Sequence, residues 1–359
     1  MMTTATTTTL AGPKFVEVPT IKTPIRKAPG FAKKGLADFK LDLVGLCQFG
    51  CVYCSSNCGN YLRIRQQEFL ALTEEQTGNA TLPVDDPSLM FVWEDILERL
   101  DEQLSDESQS WGRGETLVFS MLTDGFSPHL VGAGITEAAL RMVLERTSFR
   151  IRVLTKNSIV GTRRWIKFFD RYPGRFVVGL SIGTLDDDWA KRIERLTPSP
   201  SSRIAALRNL QDAGIPTFGM LCPAFPHVLE SGMLDQLLDQ IRPEQTETVW
   251  AEPFNDRKCW RKVREVMEPD SLDANWMTEV YENRRRDLWS RYATKLYERL
   301  RNRAVRDGWI SKLVYLLYER DIEEHDAEAF RGLEGVLLQA TPDDDGLSQN
   351  PAFVELQTV

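Results

Sequence analysis

The amino-acid sequence predicts an α/β fold: a six-stranded partial (β/α)6 barrel followed by a helical C-terminal extension. Three observations lead there. Six apolar or alternating runs of strand length occur between residues 38 and 252. Helical stretches separate them, and strands joined by helices pair in parallel through crossover connections. Beyond about residue 256, charged helix-forming segments replace this rhythm. Six units fall short of a closed (β/α)8 barrel, so the sheet is expected to be partial, with functional residues at the C-terminal ends of its strands.

Taken in order, residues 1–12 are Thr-rich, and residues 13–36 hold four prolines with several Lys and Arg. Together, 1–36 read as a flexible N-terminal arm that lies along the body or leads into it. The first strand, at about 38–46, delivers a cysteine-rich loop. Asn60 to Leu72 reads as helix, and 73–92 as loop because of Asn79, Pro83, Asp85, Asp86 and Pro87. Phe91 to Leu104 reads as an amphipathic helix before a polar linker at 105–114. Five further strands are expected at Thr116–Met121, Phe149–Leu154, Arg175–Ser181, Thr217–Cys222 and Glu247–Glu252. Helices at Ile135–Glu145, Val160–Tyr172, Asp186–Leu196, Ser201–Ala213 and Gly232–Ile241 lie between them. Gly214 stands where a helix C-cap belongs.

Residues 37–255 are therefore the barrel domain, 256–340 the helical extension, and 341–359 an acidic, loose tail. Within the extension, Trp276, Tyr281, Leu288, Tyr292 and Leu296 recur at helical spacing, and Trp309 to Glu319 reads as a further helix.

A net charge of -8 and a pI near 5.2 argue against adhesion to nucleic acid through bulk basic charge, a local basic groove aside. Four of the six cysteines lie within twelve residues, which is metal-site clustering in a reducing compartment rather than a disulfide framework. There is no apolar run of about eighteen residues, so no membrane span is expected. The N-terminus has neither the charged start nor the apolar core of a secretory signal. A cytoplasmic protein is expected.

The cysteine loop reads Cys47-Gln-Phe-Gly-Cys51-Val-Tyr-Cys54. Three soft thiolates on one loop can hold three corners of a cubane iron–sulfur cluster and leave its fourth iron open. Zinc is the alternative. A structural zinc takes four ligands, and Cys58 could supply the fourth. Cys58 also reads as a small buried thiol in the helix after the loop.

Several stretches follow this loop in a fixed order: Ser120–Asp124 through Pro128, Val153–Lys156, Leu180–Asp186, Pro198–Arg203, Ala213–Pro216 and Pro223–Pro226. With them the chain resembles the radical S-adenosylmethionine (SAM) superfamily, over roughly residues 38–255. Within it the chain is similar to the branch of spore photoproduct lyase and the DNA repair photolyases. The resemblance implies a TIM-like partial barrel and two cofactors, a [4Fe–4S] cluster and SAM. It implies that Cys47, Cys51 and Cys54 each bind one iron and that SAM chelates the open one. Reductive cleavage then yields methionine and a 5′-deoxyadenosyl radical that takes hydrogen from a substrate. The cofactors carry this chemistry and the protein supplies placement. An electron donor such as flavodoxin or ferredoxin is implied as a partner.

The same resemblance places Tyr53 against the adenine, with plain packing as the alternative. Thr123 and Asp124, ending the second strand, correspond to the residues that recognise SAM's amino group, where a carboxylate makes a charge-assisted bond. The Asp124-Gly125 pair also reads as a turn. Lys156 and Ser181, ending the third and fourth strands, correspond to a lysine and serine that contact the SAM carboxylate and ribose region. Glu252 ends the sixth strand and either faces the mouth or is an N-cap or surface acid.

One departure bears on the substrate. The lyase branch returns hydrogen from a cysteine at the end of strand two, and Met121–Asp124 contains none. Cys222, after strand five, is either a replacement from another wall or core packing. Thymine-dimer reversal is therefore not expected. Nucleic acid is the first substrate reading by branch analogy, with lyase-like or transferase-like chemistry. A peptide or small metabolite is the second, and a non-catalytic metal-binding protein the third. Basic clusters at Arg163-Arg164-Lys167, Arg257-Lys258-Arg261-Lys262 beside Trp260, and Arg284–Arg286 offer phosphate contacts or are solvated faces. His129, His227 and His325 are scattered and suggest no histidine-based catalytic set.

Overall fold

The computed structural model describes residues 14–19, 23–59, 61–106, 110–256, 258–318 and 322–339. Among them run strands β1 (Lys14–Val18), β2 (Ile25–Lys27), β3 (Phe39–Leu41), β4 (Val44–Leu46), β5 (Leu89–Trp93) and β6 (Thr116–Phe119). There follow β7 (Arg150–Thr155), β8 (Phe176–Ser181), β9 (Thr217–Ala224), β10 (Thr246–Pro253), β11 (Leu313–Tyr318) and β12 (Val336–Gln339). A large sheet has the order β12-β11-β10-β9-β8-β7-β6-β3-β2, and a small one the order β1-β5-β4. In the large sheet every pairing from β3 to β12 is parallel, and β2 lies antiparallel along the β3 edge.

A parallel sheet is covered on both faces, so its strands are apolar throughout. β8 shows this: Phe-Val-Val-Gly-Leu-Ser is buried at every position. Val177, Phe218 and Trp250 pack on the concave face with Leu36 and Met220. Val178 and Leu180 point the other way, into the core that includes Leu207 and Leu210 of the helix Pro200–Asp212.

The expected parallel strands correspond to β3 and β6 through β10, but the sheet does not stop at six. β11 lies inside Trp309–Glu319, which reads as helix in sequence. Leu-Val-Tyr-Leu-Leu-Tyr is a short continuous apolar run, and periodicity alone does not separate a buried strand from a buried helix. The open edge of β10 decides it, and β12 then adds to β11. The C-terminal extension is thus helical over Trp260–Val266, Leu272–Met277 and Arg286–Arg306, and after that carries β11 and β12 with the helix Glu324–Phe330 between them. Residues 341–359 lie outside the described ones.

Four further expectations change. The first strand is two strands in different sheets, β3 and β4, parted at Asp42 and Leu43. The helix after the cysteine loop runs from Gln66 to Thr77. β5 then occupies Leu89–Trp93, so the amphipathic helix begins only at Ile96. The described part of the N-terminal arm is woven into the body. β1 pairs with β5, β2 edges the large sheet, and residues 33–36 cross its concave face. There the Arg152 guanidinium donates to the carbonyls of Leu36 at 2.6 Å and Gly35 at 3.1 Å and lies over the Phe218 ring. No helix among the described residues is long and apolar enough to cross a membrane.

Candidate metal centre and cofactor cavity

A cavity of about 270 Å³ opens at the C-terminal ends of the parallel strands. Cys47, Cys51 and Cys54 share one wall of it; Cys47 and Cys51 are buried, Cys54 half-buried, and none of the three is in a disulfide. The loop that carries them is pinned by its main chain. Val52 N–H donates to the Ile193 carbonyl at 2.9 Å, and Leu196 N–H donates to the Phe49 carbonyl at 3.3 Å. Gly50 inside the Cys-x3-Cys interval has φ +60°, and a Cβ there would meet Pro87 at 2.8 Å. The interval therefore needs glycine.

Burial, and after it the neighbouring Cys54, pushes the Cys47 thiol up to about 12. Burial and then the Glu194 charge raise Cys51 well above the ordinary thiol range. Without metal these are neutral thiols, and a bound cation must displace their protons. Three free thiols converging on one cavity fit a cluster with an open corner. Cys58, the fourth ligand a structural zinc would need, does not line the cavity; its sulfur is joined to that of Cys259, with a Cα–Cα distance of 5.8 Å.

Every other site residue expected from the sequence lines the same cavity: Tyr53, Thr123, Asp124, Lys156 and Ser181. Lys156 Nζ donates to Ser181 Oγ at 2.9 Å, and Ser181 Oγ donates to the Cys222 carbonyl at 2.8 Å. Asp124 accepts from Phe126 N–H at 2.9 Å, Lys156 N–H at 2.8 Å and the Thr155 hydroxyl at 2.8 Å. Burial raises its pKa, and those hydrogen bonds only partly offset this. So the Asp124-Gly125 turn reading holds in part: the carboxylate staples the loops after β6 and β7 together. The Thr155 hydroxyl bridges both carboxylate oxygens, at 2.8 and 2.9 Å, so each oxygen has two donors beside it.

Glu194 was not singled out in the sequence, where it looks like any acid on a helix face. It is the hub behind the cysteine loop. One carboxylate oxygen accepts from the Tyr53 hydroxyl and the other from Arg203. Lys156 Nζ is 3.8 Å away and also 5.5 Å from the centre of the Tyr53 ring. Arg203 donates to the Ser181 carbonyl at 2.7 Å as well. Burial would raise Glu194, but the charges of Arg203 and Lys156 outweigh it and hold the acid below its ordinary range. Asp42 does comparable work beside β3: its Oδ1 accepts from Leu122 N–H, Thr123 N–H and the Thr123 hydroxyl at 3.0–3.1 Å. Only alternation within the first strand could have hinted at it.

The far wall comprises Phe31, Lys34, Met121, Trp250 and Tyr318, with Lys34 Nζ donating to the Tyr318 hydroxyl at 2.9 Å. Cys222 and Glu252 line the cavity too, 3.4 Å apart, and Asn255 donates to Glu252 at 2.5 Å. No described residue of the basic clusters lines the cavity. Arg164 pairs with Glu137, Lys262 with Asp85 and Arg285 with Asp287. Arg257 lies outside the described residues. The histidines are elsewhere: His129 lies tilted against Phe15, and His227 sits between Thr184 and Asp273.

The model of the radical SAM superfamily matches residues 43–235, more than half of the chain. An uncharacterized protein of Mycobacterium tuberculosis is 28% identical over 146 residues, 37% of this chain and 38% of that one. One of Methanocaldococcus jannaschii is 24% identical over 127 residues, 35% and 46% of the two chains. One of Acidianus two-tailed virus is 21% identical over 197 residues, 50% and 63%. The chain thus spans from 38% to 63% of the length of these relatives. Among solved structures it is similar to spore photoproduct lyase complexed with dinucleoside spore photoproduct, at 15% identity and a TM-score of 0.43, over 74% and 69% of the chains. It is also similar to native anSMEcpe with bound AdoMet, at 12% identity and a TM-score of 0.42, over 75% and 62%. The matched family uses a [4Fe–4S] cluster and SAM. With its cysteine loop inside a match of that extent, the chain belongs to the radical SAM superfamily.

Proposed function

We propose that Cys47, Cys51 and Cys54 hold the [4Fe–4S] cluster and that the chain is an enzyme cleaving SAM reductively to start hydrogen abstraction from a substrate. The observation that carries this is the convergence of three free cysteines with Asp124, Lys156 and Ser181 on one cavity. When bound, the cluster supplies the electron that splits SAM to methionine and a 5′-deoxyadenosyl radical. The chain's own residues bind and orient. Lys156 Nζ sets a cation before the SAM carboxylate, held in place by Ser181. Asp124 offers its negative charge to the amino group, with Thr123 beside it. The Tyr53 ring, fixed through its hydroxyl by Glu194, backs the adenine. Phe49, Met121, Leu154 and Trp250 keep water from the cavity. The electron comes from a small reductant protein of the flavodoxin or ferredoxin kind.

For the substrate, nucleic acid remains the first reading, on the branch resemblance of the sequence stretches. One observation favours a small metabolite or peptide instead: the three basic clusters contribute ion pairs to the fold, and none of their described residues lines the cavity. Binding of short oligonucleotides across a salt series separates the two, since phosphate contacts give a steep salt dependence. The enzyme reading is tested by anaerobic reconstitution followed by dithionite and SAM. 5′-Deoxyadenosine should form and be lost in Cys51→Ala. Stoichiometric zinc without iron, or no SAM cleavage in the iron-loaded protein, would overturn it.

A further inference from the structure

Cys58 and Cys259 are 201 residues apart in sequence and 5.8 Å apart between Cα atoms, inside the range a disulfide spans. Cys58 closes the cysteine loop, and Cys259 follows the end of β10. Cys259 is 2% exposed, whereas Cys58 is half-buried. Neither lines the cofactor cavity. Behind the loop, the Cys58 sulfur lies 2.9 Å from the Val52 carbonyl and 3.3 Å from the Cys54 carbonyl. The Cys259 sulfur lies 3.8 Å from the Cys54 carbonyl. A thiol can donate to these oxygens and a disulfide sulfur cannot. Oxidation of the pair therefore exchanges hydrogen bonds to the segment that carries Cys51 and Cys54 for a covalent tie to the exit of β10.

We propose that Cys58 and Cys259 form a reversible dithiol–disulfide site, oxidised by low-molecular-weight disulfides, that clamps the metal-binding loop. The exposure difference sets the order of events. Cys58, as thiolate, attacks one sulfur of oxidised glutathione, forming a mixed disulfide and releasing one glutathione thiolate. Cys259, as thiolate, then attacks the Cys58 sulfur and releases the second. Two protein thiols are oxidised, and one disulfide is reduced to two thiols that take up the two protons. In the clamped form the loop has less freedom to open, so metal leaves it more slowly.

The test starts with the whole metal-free chain, reduced and then equilibrated with oxidised glutathione. Titratable thiols should fall from six to four, and peptide mapping should find Cys58 joined to Cys259. A crosslink among Cys47, Cys51 and Cys54, or retention of all six thiols, would overturn the site. This arm needs no cluster, so it stands apart from the enzyme reading. For the clamp, iron release to a chelator is compared between oxidised wild type and Cys259→Ser, under anaerobic conditions. Slower release from wild type is expected, and equal rates would refute the clamp. Should Cys259→Ser not fold, Cys58→Ser, at the half-buried end, makes the same comparison.

Discussion

Glu194 and Arg203 form an ion pair whose side chains are 8% and 1% exposed, directly behind the cysteine loop. Buried charges persist when each satisfies the other. Here the pair also fixes the Tyr53 hydroxyl and the Ser181 carbonyl. The wall that carries the three cysteines and the end of β8 thus share one electrostatic anchor.

Removing the acid leaves a buried guanidinium uncompensated. Glu194→Gln should cost about 3–5 kcal/mol in urea unfolding at neutral pH. The pH dependence has a definite sign. Glu194 titrates below its ordinary value of 4.5 in the folded chain. Its contribution is therefore complete above 4.5 and fades as pH falls through the lower folded value. The difference between wild type and Glu194→Gln should shrink on acidification; a constant difference would place the effect elsewhere.

Lys156→Met keeps most of the side-chain stem and removes the charge. A hydrogen bond to a charged group contributes about 1.5–3 kcal/mol, so SAM should bind roughly 10- to 150-fold more weakly. Calorimetry on the iron-loaded protein measures this. Unchanged affinity in a folded variant would remove Lys156 from the SAM site.

Gly50→Ala puts a Cβ into both an unfavourable φ and the space of Pro87. Strain of this kind costs about 1–3 kcal/mol. The loop relaxes by moving its cysteines, so iron content after reconstitution should fall while far-ultraviolet circular dichroism stays near wild type. Full iron loading would show that the loop tolerates the shift.

Arg152→Met takes the donor from the Leu36 and Gly35 carbonyls. An unsatisfied buried acceptor costs about 1–3 kcal/mol. Residues 28–36 should then be cut faster in limited proteolysis, ahead of the rest of the chain. Unchanged cleavage would mean that Leu36 packing alone holds the segment.

That Cys47, Cys51, Cys54, Lys156 and Ser181 meet in one cavity was legible in the sequence because they are adjacent in the chain or sit at strand ends. Cys47, Cys51 and Cys54 announce themselves by spacing, and Lys156 and Ser181 by position. Glu194, Arg203 and Asp42 act on these residues from across the fold, and their charges look the same in sequence as those of solvated acids and bases. The parallel strands β6 to β10 were legible from their alternation with helices. β11 was not, because six apolar residues in a row fit either state until the β10 edge is known. β1 and β5 were hidden for a related reason: each takes its meaning from the other, across about seventy residues of chain.

The Lys34–Tyr318 contact joins residues 284 positions apart, with the first lining the concave face near its entry and the second ending β11. Synthesis delivers the chain from its N-terminus, so the segment around Lys34 leaves the ribosome long before its partner exists. Phe31 and Leu36 must wait unburied, or in makeshift company, until β7 to β10 assemble. The far wall of the cavity is therefore among the last parts to be completed, and a chain arrested before β11 would lack its Tyr318. Contacts of such sequence separation slow folding, and in this molecule they finish the side of the cavity opposite the cysteine loop.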